Sequence, residues 1–249
     1  MATKTQIEWT EQTWNPTTGC AKVSPGCKHC YAETMAARLK AMGANGYDNG
    51  FELSLMSDRL GQPLRRKKPT IYFVNSMSDL FHEDIPNSYL DKVFEIIKQT
   101  PQHTYQILTK RSERMREYFI ENEVPPNVWL GVSVEDKKYG IPRIDDLRNI
   151  DATVRFLSVE PLLEDLGSFK LKNIHWVIVG GESGPKARPM QESWVDNIYR
   201  ICKKSNVAFF FKQWGGWGAD GKKRAKKENG RKFNGKVWDE MPPVVSNMQ

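Results

Sequence analysis

The chain has no apolar run approaching the twenty or so residues that span a bilayer, and its N-terminus, MATKTQIEWT, lacks the charged-then-apolar pattern of a secretory leader. Those two absences exclude a membrane-spanning helix and lead us to expect a reducing cytoplasm as its location. Cysteine is scarce: four residues among 249, far too few for a disulfide-stapled scaffold. Histidine is equally scarce, and no second CxxC or HxxxH pair accompanies the one CxxC present, so the usual four-ligand structural zinc pattern is incomplete. No internal sequence repeat is visible. At 39% apolar residues the composition is that of a globular protein with a sizeable core, and the length suits one large α/β domain.

What is present is concentrated. Three of the four cysteines, Cys20, Cys27 and Cys30, lie in the stretch WNPTTGCAKVSPGCKHCYAE in a Cx6CxxC pattern. Clustered thiols in a loop of Gly and Pro, in a reducing compartment, favour metal over packing. Zinc with a nitrogen from His29 or His82 is one candidate, and an iron–sulfur cluster is another, since thiolates are its usual protein ligands. Three cysteines would leave one iron of a [4Fe-4S] cluster open to a small molecule. Cys202, in SWVDNIYRICKKSN, sits at helical apolar spacing and reads as a buried helix residue without a partner.

Beyond the loop, short apolar runs alternate with amphipathic helices. YAETMAARLKAMG reads as a helix ending at Gly43; residues 44–69, rich in Gly, Asn and charge, read as an insertion. Strands follow at TIYFVNSMSD, TYQILTK, VWLGVSVE, VRFLSVEPL, HWVIVGGES and VAFFFKQW, with a weaker first strand around Ile7 to Asn15. Apolar strands rich in Val, Ile and Phe, separated by helices, predict a parallel sheet covered on both faces. The expected fold is α/β, a full or partial (β/α) barrel of about six to seven parallel strands, spanning residues 1–217, with 218–249 as a basic C-terminal loop and tail.

Six of these strands finish in polar residues, and such folds place their sites at strand C-termini. Candidates on that rim include Ser76, Ser78 and Asp79, then Lys110, then Ser133 and Glu135, then Glu160, then Glu182, then Lys212. Glu160 precedes Pro161 and Glu182 follows two glycines; either carboxylate is a candidate for ligand binding or proton transfer, and Lys212 for shaping a substrate pocket. The net charge of +7 and the cations of 222–236, in GKKRAKKENGRKFNGK, form a candidate phosphate-contacting loop.

The combination of a three-cysteine loop after the first strand of a β/α barrel resembles the radical S-adenosylmethionine (SAM) superfamily. The segments WNPTTGC, VSPGCKHCYAE, SMSDLFH, LTKR, GVSVE, SVEPLL, VGGESG and FFKQWG together resemble a phage-encoded, largely uncharacterised branch of it, from about Trp9 to Trp217. The resemblance implies a radical SAM-type barrel, a [4Fe-4S] cluster on Cys20, Cys27 and Cys30, and reductive cleavage of SAM to a 5'-deoxyadenosyl radical, with an electron donor such as flavodoxin or ferredoxin in a bacterial or phage-infected cell. It places Ser76, Ser78 and Asp79 near the methionine amino group, Lys110 at its carboxylate, Ser133 and Glu135 at the ribose, and His29 where an aromatic residue commonly precedes the last cysteine. The first cysteine gap is three residues longer than the common Cx3Cx2C spacing. DNA, RNA or a nucleotide is the expected substrate. A non-catalytic metal-stabilised nucleic-acid binder and a radical enzyme acting on a peptide or small metabolite are the alternatives.

Overall fold

A computed structural model describes residues 3–5 and 7–243 of the chain. Seven parallel strands form one sheet in strict sequence order: β1 (Gln12–Trp14), β2 (Ile71–Val74), β3 (Thr104–Thr109), β4 (Val128–Ser133), β5 (Val154–Val159), β6 (Trp176–Gly180) and β7 (Ala208–Gln213). Thr3–Lys4 adds an antiparallel pair at the β1 edge. Among the described residues, pairing does not run from β7 back to that edge, so the expected barrel is the partial one. The outer edge of β7 is covered instead by the C-terminal segment, where the Phe211 amide donates to the Trp238 carbonyl at 2.9 Å and Phe210 bridges Asp239. A two-residue edge strand on one side and the covering C-terminal segment on the other blunt both edges as templates for intermolecular pairing.

Helices α1 (Tyr31–Ala41), α2 (Asn87–Lys98), α3 (Ser112–Glu121), α4 (Gly140–Arg148) and α5 (Glu192–Lys204) follow β1, β2, β3, β4 and β6. The crossover after β5 has none. Their spacing explains their burial: α2 buries Tyr89, Leu90, Val93, Phe94 and Ile97, an i, i+3, i+4 stripe that packs on the sheet. Every residue of β4 and of β6 is buried, which is why these strands read as unbroken apolar runs rather than alternating ones. The insertion 44–69 contains no long element; Ser54–Leu55 pairs antiparallel with Thr17–Thr18 ahead of the first cysteine.

Two cores result from the alternation of side chains along each strand. One lies between sheet and helices and includes Phe233 and Trp238, so the far end of the basic segment is anchored in it. The other fills the concave face with Trp9, Phe73, Trp129, Val154, Phe156, Trp176, Ile178 and Phe210. Trp176 lies at its centre, with ring centroids 6.1 Å from Trp9 and 6.0 Å from both Trp129 and Phe210. Gly131 makes room for the Phe156 ring: a Cβ there would stand 2.4 Å from it. The lower half of the partial barrel is therefore filled, with Gln106 bonded to the Trp9 carbonyl at 3.2 Å as a buried polar side chain among the rings, and the polar cluster lies at the end where the strands finish. No helix among the described residues is long and apolar enough to cross a membrane.

Gly131→Ala is expected to destabilise the protein by about 1–3 kcal/mol through overpacking, measured by urea unfolding. Phe156→Leu in the same chain should recover part of that loss, because it removes the ring the new methyl meets.

Candidate functional site: a clamped cysteine loop on the strand rim

The segment before the first cysteine is held by backbone pairing. Gly19 has φ +78°, and a side chain there would collide with the Glu52 carbonyl at 2.0 Å, so only glycine lets the chain pass beneath the insertion. Its amide donates to the Met77 carbonyl at 3.1 Å, and the Cys20 amide donates to the Phe51 carbonyl at 3.1 Å. The Ser78 hydroxyl donates to the Gly19 carbonyl at 2.6 Å and accepts from Thr17 at 3.0 Å. Ser76 donates to the Asn15 side chain at 3.2 Å, while its carbonyl accepts from the Tyr31 hydroxyl. Both serines therefore tie the end of β2 to the start of the cysteine loop.

The loop itself ends where α1 begins. Pro25–Cys27 forms a single 3-10 turn, and Cys30 is the residue that caps the N-terminus of α1. Cys20, Cys27 and Cys30 are free and half-buried. Burial, with the Asp79 carboxylate nearby, pushes the Cys20 thiol up to about 11 against the opposing pull of Arg111. Cys202, as its spacing implied, is a free, fully buried residue of α5, with burial pushing its thiol up to about 12.

Three rim carboxylates clamp this loop. Asp79, buried beyond β2, accepts from Thr109 at 2.7 Å and from the amides of Phe81 and Lys110 at 3.0 Å, and pairs with Arg111 at 3.2 Å. Arg111 then reaches the Cys20 sulfur at 3.4 Å and the Ala21 carbonyl at 3.3 Å. Glu135, fully buried beyond β4, accepts from the Ser24 hydroxyl and pairs with Arg143 at 2.7 Å. Glu182, buried beyond β6, takes both arms of Arg188, at 2.9 and 2.5 Å, and its backbone amide at 2.8 Å. Arg188 also donates to the Pro25 carbonyl at 3.0 Å. Burial alone would raise both glutamates; Lys110, Arg143 and Ser24 outweigh it at Glu135, and the Arg188 hydrogen bonds outweigh it at Glu182, so both stay below the usual carboxylate range.

All three clamps meet the six-residue gap between Cys20 and Cys27, the part of the pattern that is longest relative to the common spacing. The gap crosses from the β2–β3 side past β4 to β6. A second polar set continues the inward face above the aromatic core. On β4 Ser133 follows Trp129 and Gly131 at alternate positions, on β5 Glu160 follows Phe156 and Ser158, and on β7 Lys212 follows Phe210. Glu160 pairs with Lys212 at 2.9 Å and accepts from Gln213 at 3.2 Å. Ser133 is buried and its carbonyl accepts from Arg143 at 2.9 Å. Lys110 is half-buried close enough to Glu135 to lower its pKa, and His29 is half-buried close enough to do the same at Glu182.

Two cavities flank the loop. One, of about 740 Å3, is lined by Cys20, Ala21, Glu33, Phe51, Leu53, His82 and Asp84 among others. His82 thus shares a cavity with Cys20, though its Nδ1 accepts the Asp84 amide at 3.2 Å. The other, of about 410 Å3, is lined by Val23, Lys110, Arg111, Arg114, Lys138 and Arg143 among others. Among the described residues no three His, Cys, Asp or Glu side chains converge as a metal-holding group. In kind and placement, three unpaired thiols on one loop fit a thiolate-ligated cluster; their convergence is not preformed.

Sequence reasoning located the carboxylates but not their partners. Arg111 stands in the LTKR segment that ends β3, whereas Arg143, Arg188 and Ser24 carry no spacing signal. The available clue was general: a carboxylate at a buried strand end needs a cation, and Arg with its planar fork is the best match. In the basic segment much of the charge is already engaged. Arg224 pairs with Asp220, Arg231 with Asp239, Lys223 stands over Trp217 at 5.6 Å and Lys236 over Trp238 at 3.8 Å. The segment adjoins the rim: Arg231 donates to the Lys212 carbonyl at 2.9 Å, and Trp217, immediately ahead of the segment, donates to the Ala187 carbonyl at 2.7 Å.

The sequence profile of a family described as a protein of unknown function, DUF5131, matches residues 4–242. No curated protein matches the chain. Among solved structures, a spore photoproduct lyase complexed with dinucleoside spore photoproduct is similar, with 13% identity and a TM-score of 0.48 over 82% of this chain and 64% of that one. A doubly substituted mutant of that lyase with bound AdoMet and dinucleoside spore photoproduct gives 14% and 0.47 over the same shares. The chain thus covers somewhat under two thirds of the length of the lyase it matches.

Replacing Glu135 by Gln strands the Arg143 charge and should cost about 3–5 kcal/mol at neutral pH. Because Glu135 titrates lower in the folded state than in the unfolded one, its contribution is complete above the unfolded value near pH 4.3 and is lost as pH falls through the folded value. The stability gap between wild type and Glu135→Gln, followed by urea unfolding from pH 7 to pH 3, should therefore narrow on acidification.

Proposed function

The chain belongs to the DUF5131 family, described only as a protein of unknown function, and from its clamped three-cysteine loop we propose that it is a radical SAM enzyme. The observation that carries this reading is the position of three free, half-buried thiols on one loop held over the polar end of a parallel partial barrel. In this reading Cys20, Cys27 and Cys30 hold a [4Fe-4S] cluster, and the thiols are drawn together by the iron they bind. When bound, the cluster supplies the electron that cleaves SAM.

The protein's own residues orient and enclose. Asp79, Glu135 and Glu182 act first as anchors of the loop, and only through it on the cofactor. Ser76 and Ser78 share that anchoring duty. Lys110, half-buried near Glu135, is the rim cation best placed to receive a carboxylate. The Glu160–Lys212 pair stands on the inward face above the aromatic core, where it can hold a polar substrate group or pass a proton. His29, near Glu182, and Ser133 complete the polar lining.

The proposed substrate is a nucleic acid or nucleotide. Support comes from the net charge of +7 and from the 222–236 segment lying against the rim at Lys212, with Trp217 ahead of it held at Ala187. With Arg224, Arg231 and Lys226 engaged in ion pairs and Lys223 and Lys236 over tryptophan rings, Lys222, Lys227 and Lys232 are its remaining exposed cations for phosphate. A second reading, a non-catalytic metal-stabilised nucleic-acid binder, draws on the rim carboxylates being already partnered.

Anaerobic reconstitution with iron and sulfide separates the two. Brown protein with [4Fe-4S] absorption, which yields 5'-deoxyadenosine from SAM after reduction, is the expected result. Cys20→Ala, Cys27→Ala and Cys30→Ala should each lose the absorption and Cys202→Ala should retain it; colourless, zinc-loaded protein without SAM cleavage would sink the enzyme reading. For the substrate, duplex DNA binding should weaken with salt. Neutralising Lys222, Lys227 and Lys232 should flatten the log–log slope by about 0.9 for each phosphate contact removed, and no affinity at low salt for duplex DNA or for RNA would refute a nucleic-acid substrate.

A further inference from the structure

The three cysteines are not equivalently supported. Cys27 has only a long contact of 3.9 Å with the Ser24 hydroxyl. Cys30 opens a helix. Cys20 alone faces a guanidinium, with Arg111 Nη1 3.4 Å from its sulfur. That guanidinium is held on every side: Nη1 to Asp79 at 3.2 Å, Nε to Glu83 at 2.5 Å and Nη2 to the Ala21 carbonyl at 3.3 Å. Its side chain is only 8% exposed. At its root, the Arg111 amide donates to Thr109 Oγ1 at 2.8 Å, and the same hydroxyl donates to Asp79, so the backbone and the carboxylate partner are fixed together. Removing the guanidinium would leave the buried Asp79 charge without its cation, so the arginine has little freedom to leave.

On the reading of the loop as a cluster site, we infer that Arg111 is a positioning residue for the Cys20 arm, which also places a fixed positive charge beside one ligand sulfur and so raises the reduction potential. The physical reason is direct. Reduction adds one negative charge to the cluster, and a cation with an N–H directed at a ligand sulfur stabilises that extra charge. Solvent screening is weak because the guanidinium is nearly buried; Asp79 and Glu83 offset part of its charge, but it is the Arg111 N–H that meets the sulfur. Arg rather than Lys suits the task, since one planar fork must serve a carboxylate, a sulfur and a carbonyl at once.

The test is an anaerobic dithionite titration of the reconstituted full-length chain, followed by visible absorption and electron paramagnetic resonance, with iron per chain measured separately. Potential is read only from chains that hold a cluster, so a purely structural loss of occupancy does not move it. Arg111→Gln should titrate at a more negative potential. At the wild-type midpoint its reduced-to-oxidised ratio should fall about tenfold, equivalent to about 59 mV for one electron. Arg111→Lys should fall between, and Arg116→Gln, in α3 but paired with Asp146 and touching no cysteine, should match wild type. If Arg111→Gln holds no iron, Arg111→Lys is read in its place. Loss of iron in both, with wild-type melting curves and full loading of Arg116→Gln, supports the positioning role. A wild-type midpoint in the Arg111 variant that is read overturns the inference alone, whereas wild type that takes up no iron overturns the cluster reading beneath it.

Discussion

Buried carboxylates at the ends of parallel strands must find cations or hydrogen-bond donors, and that requirement organises the rim of this protein. A carboxylate left uncompensated at such a site costs several kcal/mol. Asp79, Glu135 and Glu182, beyond alternate strands β2, β4 and β6, meet it with Arg111, Arg143 and Arg188. Two of those arginines, together with the Ser24 hydroxyl, extend the pairing to the loop that carries the cysteines. The electrostatic need of the barrel and the positioning of the thiols are thus met by the same contacts.

This arrangement gives the long first cysteine gap a physical purpose. Six residues separate Cys20 from Cys27, and Ala21, Ser24 and Pro25 among them are the points of attachment to the rim. A shorter connection would have fewer backbone groups to offer to three strand ends. The contacts at the loop are matched by close packing below it, where the aromatic core around Trp176 fills the concave face, with Gln106 as a buried polar side chain within it, bonded to the Trp9 carbonyl. Chemistry at this end therefore sits on an unyielding floor, with Glu160 and Lys212 as its uppermost inward polar pair.

The C-terminal segment shows the same economy of contacts. Its cations lie next to the rim, but Trp238 and Phe233 bind its far end into the core and Arg231 ties it to the carbonyl of Lys212. What emerges is a tethered basic strap beside the mouth, with ion pairs consuming part of its charge and exposed lysines carrying the remainder.

Much of the architecture was legible in the chain. Apolar strand runs and helical periodicity follow from local burial, so the seven strands, the helix after the cysteines and the isolated Cys202 could be read before any fold was known. The Cx6CxxC cluster and the polar strand ends were legible for the same reason, since both are short-range patterns. Whether the barrel closes was decided only in three dimensions, because closure depends on the accumulated twist of the sheet and on the chain ends that cover its edges. Partnerships such as Asp79 with Arg111, Glu135 with Arg143 and Glu182 with Arg188 span 32, 8 and 6 residues and share no common spacing. Nor does sequence separation hint that Ser24 meets Glu135, 111 residues away. A carboxylate's need for a partner is a local property that sequence declares; which partner arrives is set by the packing of strands and helices, and tertiary structure alone turned the rim's expected ligand residues into clamps on the cysteine loop.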